Sequence, residues 1–328
     1  MAETFKAVVV SEKDDGVFSI NIEDKSFKDL PEGEVLINVK YSSLNFKDAL
    51  SATGNKGVTR KYPHTPGIDA AGVVTECSDG SFSEGDEVLV TGYDLGMNTS
   101  GGYGPYIRVP SSWVVRLPEG LSLRESMGIG TAGFTAALSV HGLLKSGLSA
   151  DGGEVLVTGA TGGVGSLAVS MLAAEAIDVV AASGKADAED WLRLIGAKNV
   201  IARSELSEPD KRPLLKGRWA GAVDTVGGEV LANVLKSIKY GGSVTCCGLV
   251  ASMKLSTTVL PFILNGISLI GIDSVRCPMP MRQEIWKKLS GKWKPARLDE
   301  IIRECSLDGV EDEVQKILKG GQRGRVVV

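Results

Sequence analysis

Potential metal ligands are scarce in this chain of 328 residues. It has two histidines, His64 and His141, and five scattered cysteines that include no C-x-x-C pair. Catalytic and structural zinc sites are built from clusters of such ligands. The sequence therefore predicts no metal site. Because the number of cysteines is odd and a chain of this length needs no disulfide staples, we expect reduced, buried thiols.

Long apolar runs and an excess of one charge are also missing. No uninterrupted apolar run reaches the roughly 18 to 20 residues of a membrane-spanning helix, and the first ten residues lack a signal-peptide layout. The chain has 36 Lys and Arg against 40 Asp and Glu, for a net charge of -4. We therefore expect a cytoplasmic protein that binds neither nucleic acid nor membranes.

The length and apolar content are sufficient for two domains. The first third is β-rich, with alternating or β-branched runs at residues 6–10, 34–41, 71–76 and 87–91 separated by Gly, Pro and Asp. The period becomes helical over residues 123–144. We place a domain boundary between residues 122 and 123.

Strand and helix patterns alternate from residue 154 onward. The segments are 154–158, 164–174, 178–182, 186–195, 199–201, 221–225, 229–238 and 243–247. Such alternation predicts a parallel sheet covered by helices on both faces. The predicted fold is α/β: a β-rich catalytic domain of residues 1–122, completed by residues 276–328, and a Rossmann doubly wound domain of residues 123–275.

A glycine-rich turn follows the first strand of this series. The turn, Gly159-Ala-Thr-Gly-Gly-Val-Gly165, leads into a helical pattern. In a dinucleotide site, Gly162 would let the backbone approach the pyrophosphate and Gly165 would let the helix pack closely on the strand. The helix N-terminus supplies N–H donors and a positive dipole end. The alternative is an ordinary strand-to-helix turn.

The end of the next strand indicates which nucleotide binds. A site specific for NAD usually has Asp or Glu about 20 residues further on, where it holds the ribose 2′-OH. This chain has Ser183-Gly184-Lys185 there, and Arg203 follows the third strand. A carboxylate repels a 2′-phosphate, whereas a hydroxyl and cationic groups bind one. The sequence predicts NADPH; the alternative is that Lys185 and Arg203 are solvated surface charges.

Several motifs together resemble the medium-chain dehydrogenase/reductase superfamily. They are Tyr41-Ser-Ser-Leu-Asn-Phe-Lys-Asp48, Pro66-Gly-Ile-Asp-Ala-Ala-Gly72, Gly130-Thr-Ala-Gly-Phe-Thr-Ala136, the glycine turn, Asp224-Thr-Val-Gly227 and Gly324-Arg-Val-Val-Val328. The resemblance covers essentially the whole chain and is greatest to the YhdH/YhfP branch of quinone oxidoreductases, which includes acrylyl-CoA reductases of the AcuI type. It implies a GroES-like catalytic domain beside the Rossmann domain. Zinc-dependent members have Gly-His-Glu where this chain has Gly67-Ile68-Asp69, which agrees with a metal-free site.

The resemblance also implies a set of cofactor contacts. They are Phe46, Thr161, Gly162, Gly163, Val164, Ser183, Gly184, Lys185, Arg203, Leu249, Ile263, Ser274 and Lys319. Relatives tend to have Tyr in place of Phe46 and Asn in place of Lys319. Phe46 lacks a phenolic hydroxyl and so cannot donate a proton.

The predicted chemistry is hydride transfer from a nicotinamide to the β-carbon of an enone or enoyl thioester. Negative charge then develops on the carbonyl oxygen, and without zinc it must be stabilised by polar side chains or backbone N–H groups. The candidate residues are Tyr41, Asn45, Asp48, Thr131 and Tyr103, with the loop of residues 100–104 as a possible substrate contact. For Asn45 and Asp48 the alternative is a helix cap. Water or a tyrosine would protonate the α-carbon.

Three functions follow from these observations. The first is reduction of acrylyl-CoA or a similar enoyl thioester, and the second is reduction of quinones or general enones by the same site. The third is a protein that binds NADPH without turning it over. A CoA substrate would need basic groups, for which Arg60, Lys61, Arg108 and Arg276 are available. By analogy with the superfamily we expect a homodimer.

Overall fold

The computed structural model describes residues 4–14 and 16–328. Its strands are β1 Thr4–Glu12, β2 Phe18–Ser26, β3 Val35–Ser42, β4 Asp69–Cys77, β5 Glu87–Thr91, β6 Tyr106–Val109, β7 Val115–Arg116, β8 Val155–Val157, β9 Val179–Ser183, β10 Asn199–Ala202, β11 Trp219–Asp224, β12 Ile238–Cys246, β13 Ser268–Gly271, β14 Ile302–Glu304 and β15 Arg325–Val327. Its α-helices are α1 Phe46–Ala52, α2 Leu123–Lys145, α3 Gly163–Ala174, α4 Glu189–Leu194, α5 Ser204–Ser207, α6 Gly228–Lys236, α7 Leu260–Asn265, α8 Met279–Leu289, α9 Leu298–Ile301 and α10 Val310–Leu318.

The chain divides into two compact units. Unit 1 comprises Met1–Thr131, Val275–Ser290 and Ile302–Val328, and unit 2 comprises Ala132–Ser274 and Gly291–Ile301. The boundaries predicted at 122/123 and 275/276 mark changes in sequence pattern. The division in space instead lies inside α2, because the helical pattern begins before the chain leaves unit 1.

Unit 1 contains two antiparallel sheets. β1 pairs with β2, and a five-stranded sheet has the order β6-β3-β4-β5-β7. Inward-facing Val and Ile side chains of β3 to β6, together with Leu95 from the segment between β5 and β6, form its core. The C-terminal strand returns to the end of β3: the N–H of Ser42 donates to the carbonyl of Val328 at 2.8 Å, and that of Leu44 donates to Val326 at 2.9 Å. This return brings Arg325 beside the segment between β3 and α1.

Unit 2 contains a six-stranded sheet in which each pairing is parallel. Its order is β10-β9-β8-β11-β12-β13, which is 3-2-1-4-5-6 counted from β8. This is the strand order of dinucleotide-binding folds, in which ligands bind beyond the carboxyl ends of the strands where the order reverses. Here the reversal lies between β8 and β11. The alternating pattern in the sequence correctly predicted this parallel sheet.

Helix α2 is interrupted at Gly130, whose backbone is non-helical with φ 50° and ψ -159°. By length and mean hydropathy alone, α2 is also able to cross a membrane, with a mean hydropathy of 1.3 in its most apolar window. The sequence has no uninterrupted apolar run of this length, because Gly, Ser and Thr divide the apolar residues of α2 without lowering the mean hydropathy enough to fail this criterion. However, 78% of that window is buried inside the protein, as in the core helix of a soluble protein.

Candidate functional site

The glycine turn of unit 2 joins β8 directly to α3. Gly162 is the N-cap residue, and α3 begins at Gly163. A Cβ atom on Gly165 would lie 2.3 Å from the carbonyl oxygen of Gly159. Only glycine at position 165 therefore lets the helix pack this closely on the turn. The turn has the backbone shape of a pyrophosphate cradle at a helix N-terminus, so the residues present fit a dinucleotide.

A buried carboxylate links this turn to the end of β11. The hydroxyl of Thr158 donates to Asp224 Oδ1 at 2.7 Å, and the N–H of Gly227 donates to Asp224 Oδ2 at 2.8 Å. Thr225 donates its hydroxyl to the carbonyl of Thr158 at 2.9 Å. Burial raises the pKa of Asp224. These bonds hold together the two turns on either side of the strand reversal.

The polar residues that follow β9 and β10 lie together. The N–H of Lys185 donates to Ser183 Oγ at 3.0 Å, and the N–H of Arg203 donates to the carbonyl of Ser183 at 2.8 Å. Ser183 is buried, Lys185 is half-buried and Arg203 is exposed. A Cβ atom on Gly184 would lie 3.0 Å from Arg203 Cζ, so the guanidinium lies against this glycine. The hydroxyl of Ser183, the backbone of Lys185 and the guanidinium of Arg203 are thus grouped at one turn.

The other predicted cofactor contacts are more dispersed. Thr161, Gly163 and Val164 belong to the glycine turn and the first turn of α3. Leu249 follows β12 and Ile263 lies in α7, with 55% and 68% of their surfaces exposed. Ser274 lies beyond β13, at the end of its segment of unit 2. Phe46, the half-buried first residue of α1, and Lys319, exposed at the end of α10, belong to unit 1.

Unit 1 contains a buried polar network centred on Asp69, which begins β4. Asp69 Oδ2 accepts hydrogen bonds from Ser43 Oγ at 2.7 Å and from Asn45 Nδ2 at 2.8 Å. It also lies 3.8 Å from Nη2 of Arg325, and the two side chains are 0% and 2% exposed. A buried ion pair of this kind needs further hydrogen bonds to offset its desolvation, and this pair has them.

The interruption of α2 supplies two further hydrogen bonds to the Asp69 carboxylate. The N–H of Thr131 donates to Asp69 Oδ2 at 2.9 Å, and its hydroxyl donates to Oδ1 at 2.5 Å. The preceding residue, Gly130, has a positive φ of 50°, and a Cβ there would lie 2.6 Å from Asp69 Oδ2. The kink therefore brings both the backbone N–H and the hydroxyl of Thr131 to the carboxylate and leaves no room for a side chain at position 130.

Arg325 bridges three parts of unit 1. Its Nη1 donates to the carbonyl of Leu44 at 3.0 Å and to Asn45 Oδ1 at 3.2 Å, and Nη2 donates to Ser43 Oγ at 2.8 Å. Its Nε donates to the carbonyl of Gly128 at 3.1 Å. Burial lowers the pKa of Arg325, although the neighbouring carboxylates oppose this. The guanidinium thus ties the start of α1 to α2.

Asp48 lies in the third position of α1 and is fully buried. Its carboxylate accepts three backbone N–H groups, from Asn45 at 2.8 Å, Gly67 at 3.1 Å and Ile68 at 2.9 Å. Burial, followed by the nearby Asp69 carboxylate, raises the pKa of Asp48 to about 7. The bond from the N–H of Asn45 is a capping interaction, as the alternative interpretation expected.

Two tyrosines from the sequence differ in their surroundings. Tyr103 is fully buried, and its hydroxyl donates to the carbonyl of Ser43 at 3.4 Å. Burial raises its pKa well above the usual range. Residues 101–104 are buried, with Gly101 and Gly102 packed against β4 and the segment before it, so the Tyr103 hydroxyl is engaged inside unit 1. Tyr41, on β3, is only half-buried and forms no side-chain hydrogen bond within the described chain.

Sequence reasoning assigned no role to Ser43, Asp69, Arg325, Thr158 or Asp224. For three of them, the sequence contains a feature that indicates a buried polar role. Asp69, Asp224 and Arg325 are charged residues that adjoin or interrupt short apolar β runs. A charge in such a position is buried with its strand and therefore needs a partner.

Among the residues that the structure describes, there is no group of three or more His, Cys, Asp and Glu side chains able to hold a metal ion. Ile68, at the position of the zinc-ligand histidine, is buried. His64 uses its Nε2 in a 2.9 Å hydrogen bond with the carbonyl of Gly96.

Two family models match the chain. Residues 31–119 match the alcohol dehydrogenase GroES-like domain, and residues 163–290 match the zinc-binding dehydrogenase model. The two matches fall mainly in unit 1 and unit 2 respectively.

Named relatives match over the full length. YhfP of Bacillus subtilis, which bears the name of a quinone oxidoreductase, is 47% identical and covers 100% of this chain and 99% of its own length. Acrylyl-CoA reductase AcuI of Ruegeria pomeroyi is 44% identical, covering 99% of this chain and 98% of its own.

Solved structures of relatives have the same fold as this chain over nearly its whole length. The YhdH oxidoreductase of Salmonella enterica in complex with NADP has a TM-score of 0.96 at 42% identity, covering 98% of this chain and 99% of that one. The structure of YhfP with NAD bound also has a TM-score of 0.96, at 47% identity and 99% coverage of both chains.

Proposed function

The chain belongs to the medium-chain dehydrogenase/reductase superfamily, in the YhdH/YhfP and AcuI group, and from this membership we propose that it is an NADPH-dependent reductase of activated carbon–carbon double bonds. The substrate class that we propose is a short enoyl thioester such as acrylyl-CoA. The observation that best supports the proposal is the grouping of Ser183, Lys185 and Arg203 beside the glycine turn. The group includes two cations and no carboxylate.

The choice of NADPH rests on this grouping. Two related structures carry NADP or NADPH and one carries NAD, which supports NADPH as the cofactor. An ammonium and a guanidinium attract a 2′-phosphate, and the half-buried position of Lys185 reduces solvent screening. With the glycine turn binding the pyrophosphate, these side chains are the groups that distinguish NADPH from NADH.

When bound, the dihydronicotinamide supplies the hydride. Of the four residues proposed for catalysis, three are held in place by the polar network. The amide of Asn45 donates to Asp69 and to the carbonyl of Ser43, and its oxygen accepts from Arg325. The Thr131 hydroxyl donates to Asp69, and the Asp48 carboxylate is engaged by backbone N–H groups. We assign to Asn45, Asp48 and Thr131 the role of fixing the backbone around the reacting groups.

Tyr41 is the fourth residue and retains a hydroxyl that is able to donate. The α-carbon of the substrate takes its proton either from this hydroxyl or from water. Tyr41→Phe separates the two: a fall of about 100-fold or more in kcat indicates the tyrosine, since general acids contribute on the order of 100-fold or more. An unchanged kcat indicates water.

A thioester of coenzyme A also needs groups that bind its phosphates. Arg60 and Lys61 are adjacent and exposed, and Arg276 is exposed in the same unit. Arg108 forms an ion pair with Glu76 at 3.3 Å and is therefore a weaker candidate. If Arg60 and Lys61 bind phosphates, the double alanine variant raises KM for acrylyl-CoA but not for a truncated acrylyl thioester that lacks the nucleotide.

The experiment that tests the reaction is an acceptor panel with NADPH and, separately, NADH. We expect rapid loss of NADPH absorbance with acrylyl-CoA. Faster loss with a simple quinone would favour the second function, quinone reduction. No loss with either acceptor, despite tight NADPH binding, would contradict catalysis and favour a binding protein.

We further propose that the protein is a cytoplasmic homodimer. β13 is the edge strand of the six-stranded sheet, and an exposed apolar set lies nearby in sequence. It comprises Leu249, Val250, Met253, Val259, Ile263 and Leu264. Exposed apolar side chains and an open sheet edge each favour association with a second copy. Light scattering should give twice the chain mass of 34.5 kDa, and Val259→Glu should shift the protein toward monomer.

A further inference from the structure

Gly184 lies directly against the guanidinium of Arg203. The parallel register aligns Ala202 of β10 with Ser183 of β9, so Arg203 leaves its strand beside the turn that contains Gly184. A Cβ atom on Gly184 would lie 3.0 Å from Cζ and 3.2 Å from Nε and Nη2 of Arg203. Ordinary contacts of a Cβ begin at 3.4 Å. The guanidinium thus occupies space that any side chain at position 184 would need.

The backbone at Gly184 does not itself require glycine. Its φ lies outside the left-handed region, unlike that of Gly159 at +59°. The three heavy atoms nearest to the missing Cβ all belong to Arg203. The side chain of Arg203 is therefore the nearest steric constraint on a side chain at position 184.

We infer that Gly184 determines nucleotide specificity indirectly, as a positioning residue that lets the Arg203 guanidinium lie beside Ser183 and Lys185. The inference rests on the proposed function, in which these three side chains bind the 2′-phosphate. A methyl group at position 184 would require the guanidinium to shift by a few tenths of an ångström. Charge-assisted hydrogen bonds weaken when their geometry is lost, so the affinity for NADPH should fall while that for NADH should not.

The test is a double-mutant cycle read by calorimetric titration of NADPH and NADH. The variants are Gly184→Ala, Arg203→Ala and the double variant. Gly152→Ala serves as the control, because a Cβ there would meet its nearest heavy atom at 3.7 Å, in the same unit. We expect NADPH affinity to fall by about 10- to 100-fold in Arg203→Ala and about 3- to 10-fold in Gly184→Ala. NADH affinity should change less than about twofold in each.

The decisive comparison is Gly184→Ala in the background of Arg203→Ala. If Gly184 acts through Arg203, Gly184→Ala should cause no further loss of NADPH affinity once the guanidinium has been removed. If Gly184→Ala weakens both nucleotides equally, its methyl group meets the nucleotide directly and the inference is overturned. If Arg203→Ala lowers the preference but Gly184→Ala does not, the inference fails while the 2′-phosphate site stands. An unchanged preference in Arg203→Ala would overturn the site itself, and the inference with it.

Discussion

The Asp69 carboxylate at the start of β4 and the Arg325 guanidinium at the start of β15 lie 3.8 Å apart with almost no exposure to solvent. Ser43 joins them, since its hydroxyl donates to Asp69 and accepts from Arg325. Each charge therefore has both an opposite charge and a shared neutral partner.

Removal of Arg325 should strongly destabilise the protein. Arg325→Met leaves Asp69 as a buried charge without its counter-ion, which costs about 3–5 kcal/mol of the free energy of unfolding. Urea denaturation measures the loss. The matched control is Lys6→Met, which breaks an exposed ion pair with Asp24 and should cost less than about 1 kcal/mol. Equal losses of unfolding free energy in the two variants would show that the buried pair contributes no more to stability than the exposed pair.

The raised pKa of Asp48 should make stability depend on pH. Its pKa is about 7 in the folded protein, against 3.8 for an unperturbed group. Between these values the folded state holds a proton that the unfolded state has lost, so the stability that Asp48 contributes is full below the lower value and falls as pH rises through the window. Asp48→Asn does not titrate. The difference in unfolding free energy between wild type and variant should therefore decrease from about pH 4 to about pH 7 and then level off; a difference that is flat throughout would mean that Asp48 stays ionised.

Gly130 should tolerate no side chain. Gly130→Ala places a Cβ 2.6 Å from Asp69 Oδ2 and 2.8 Å from Arg325 Nη2, at a φ of +50°. We expect a loss of about 1–3 kcal/mol from backbone strain alone, together with reduced reductase activity. Gly142→Ala on the same helix is the control, because its Cβ would make an ordinary 3.4 Å contact with Thr245. That variant should be neutral or slightly more stable. Similar unfolding free energies for the two variants would refute the assigned role of the kink.

The enzyme should work without zinc. Ile68 cannot coordinate a metal, and the ring of His64 is engaged with Gly96. We expect full activity after prolonged dialysis against a strong chelator, with less than stoichiometric zinc by elemental analysis. Stoichiometric zinc whose removal abolishes activity would prove the expectation wrong.

The sequence was informative where structure is local. The apolar run before Gly159 and the helical pattern after it predicted β8, the turn and α3, and the repeated alternation predicted the parallel sheet. Family membership, the fold class and the placement of Ser183 and Lys185 at the end of β9 were also correctly predicted.

The polar network of unit 1 was not predictable in the same way. Its members come from the end of β3, the start of β4, the interruption of α2 and the start of β15. No local pattern joins Asp69 to Arg325. The helical periodicity also runs through Gly130 without a break, so nothing in the pattern marked the kink that delivers Thr131. The glycines around Tyr103 serve close packing, which the sequence pattern does not reveal.

The most direct test of the proposed reaction follows the hydride itself. NADPH deuterated at C4 of the nicotinamide, prepared separately as each of the two stereoisomers, is supplied with acrylyl-CoA, and the product is analysed by mass spectrometry and NMR. We predict that one stereoisomer transfers its deuterium to the β-carbon of the saturated thioester, while the α-carbon gains a hydrogen that exchanges with solvent during the reaction. A saturated product without deuterium from either stereoisomer, or no saturated product at all, would contradict the proposal.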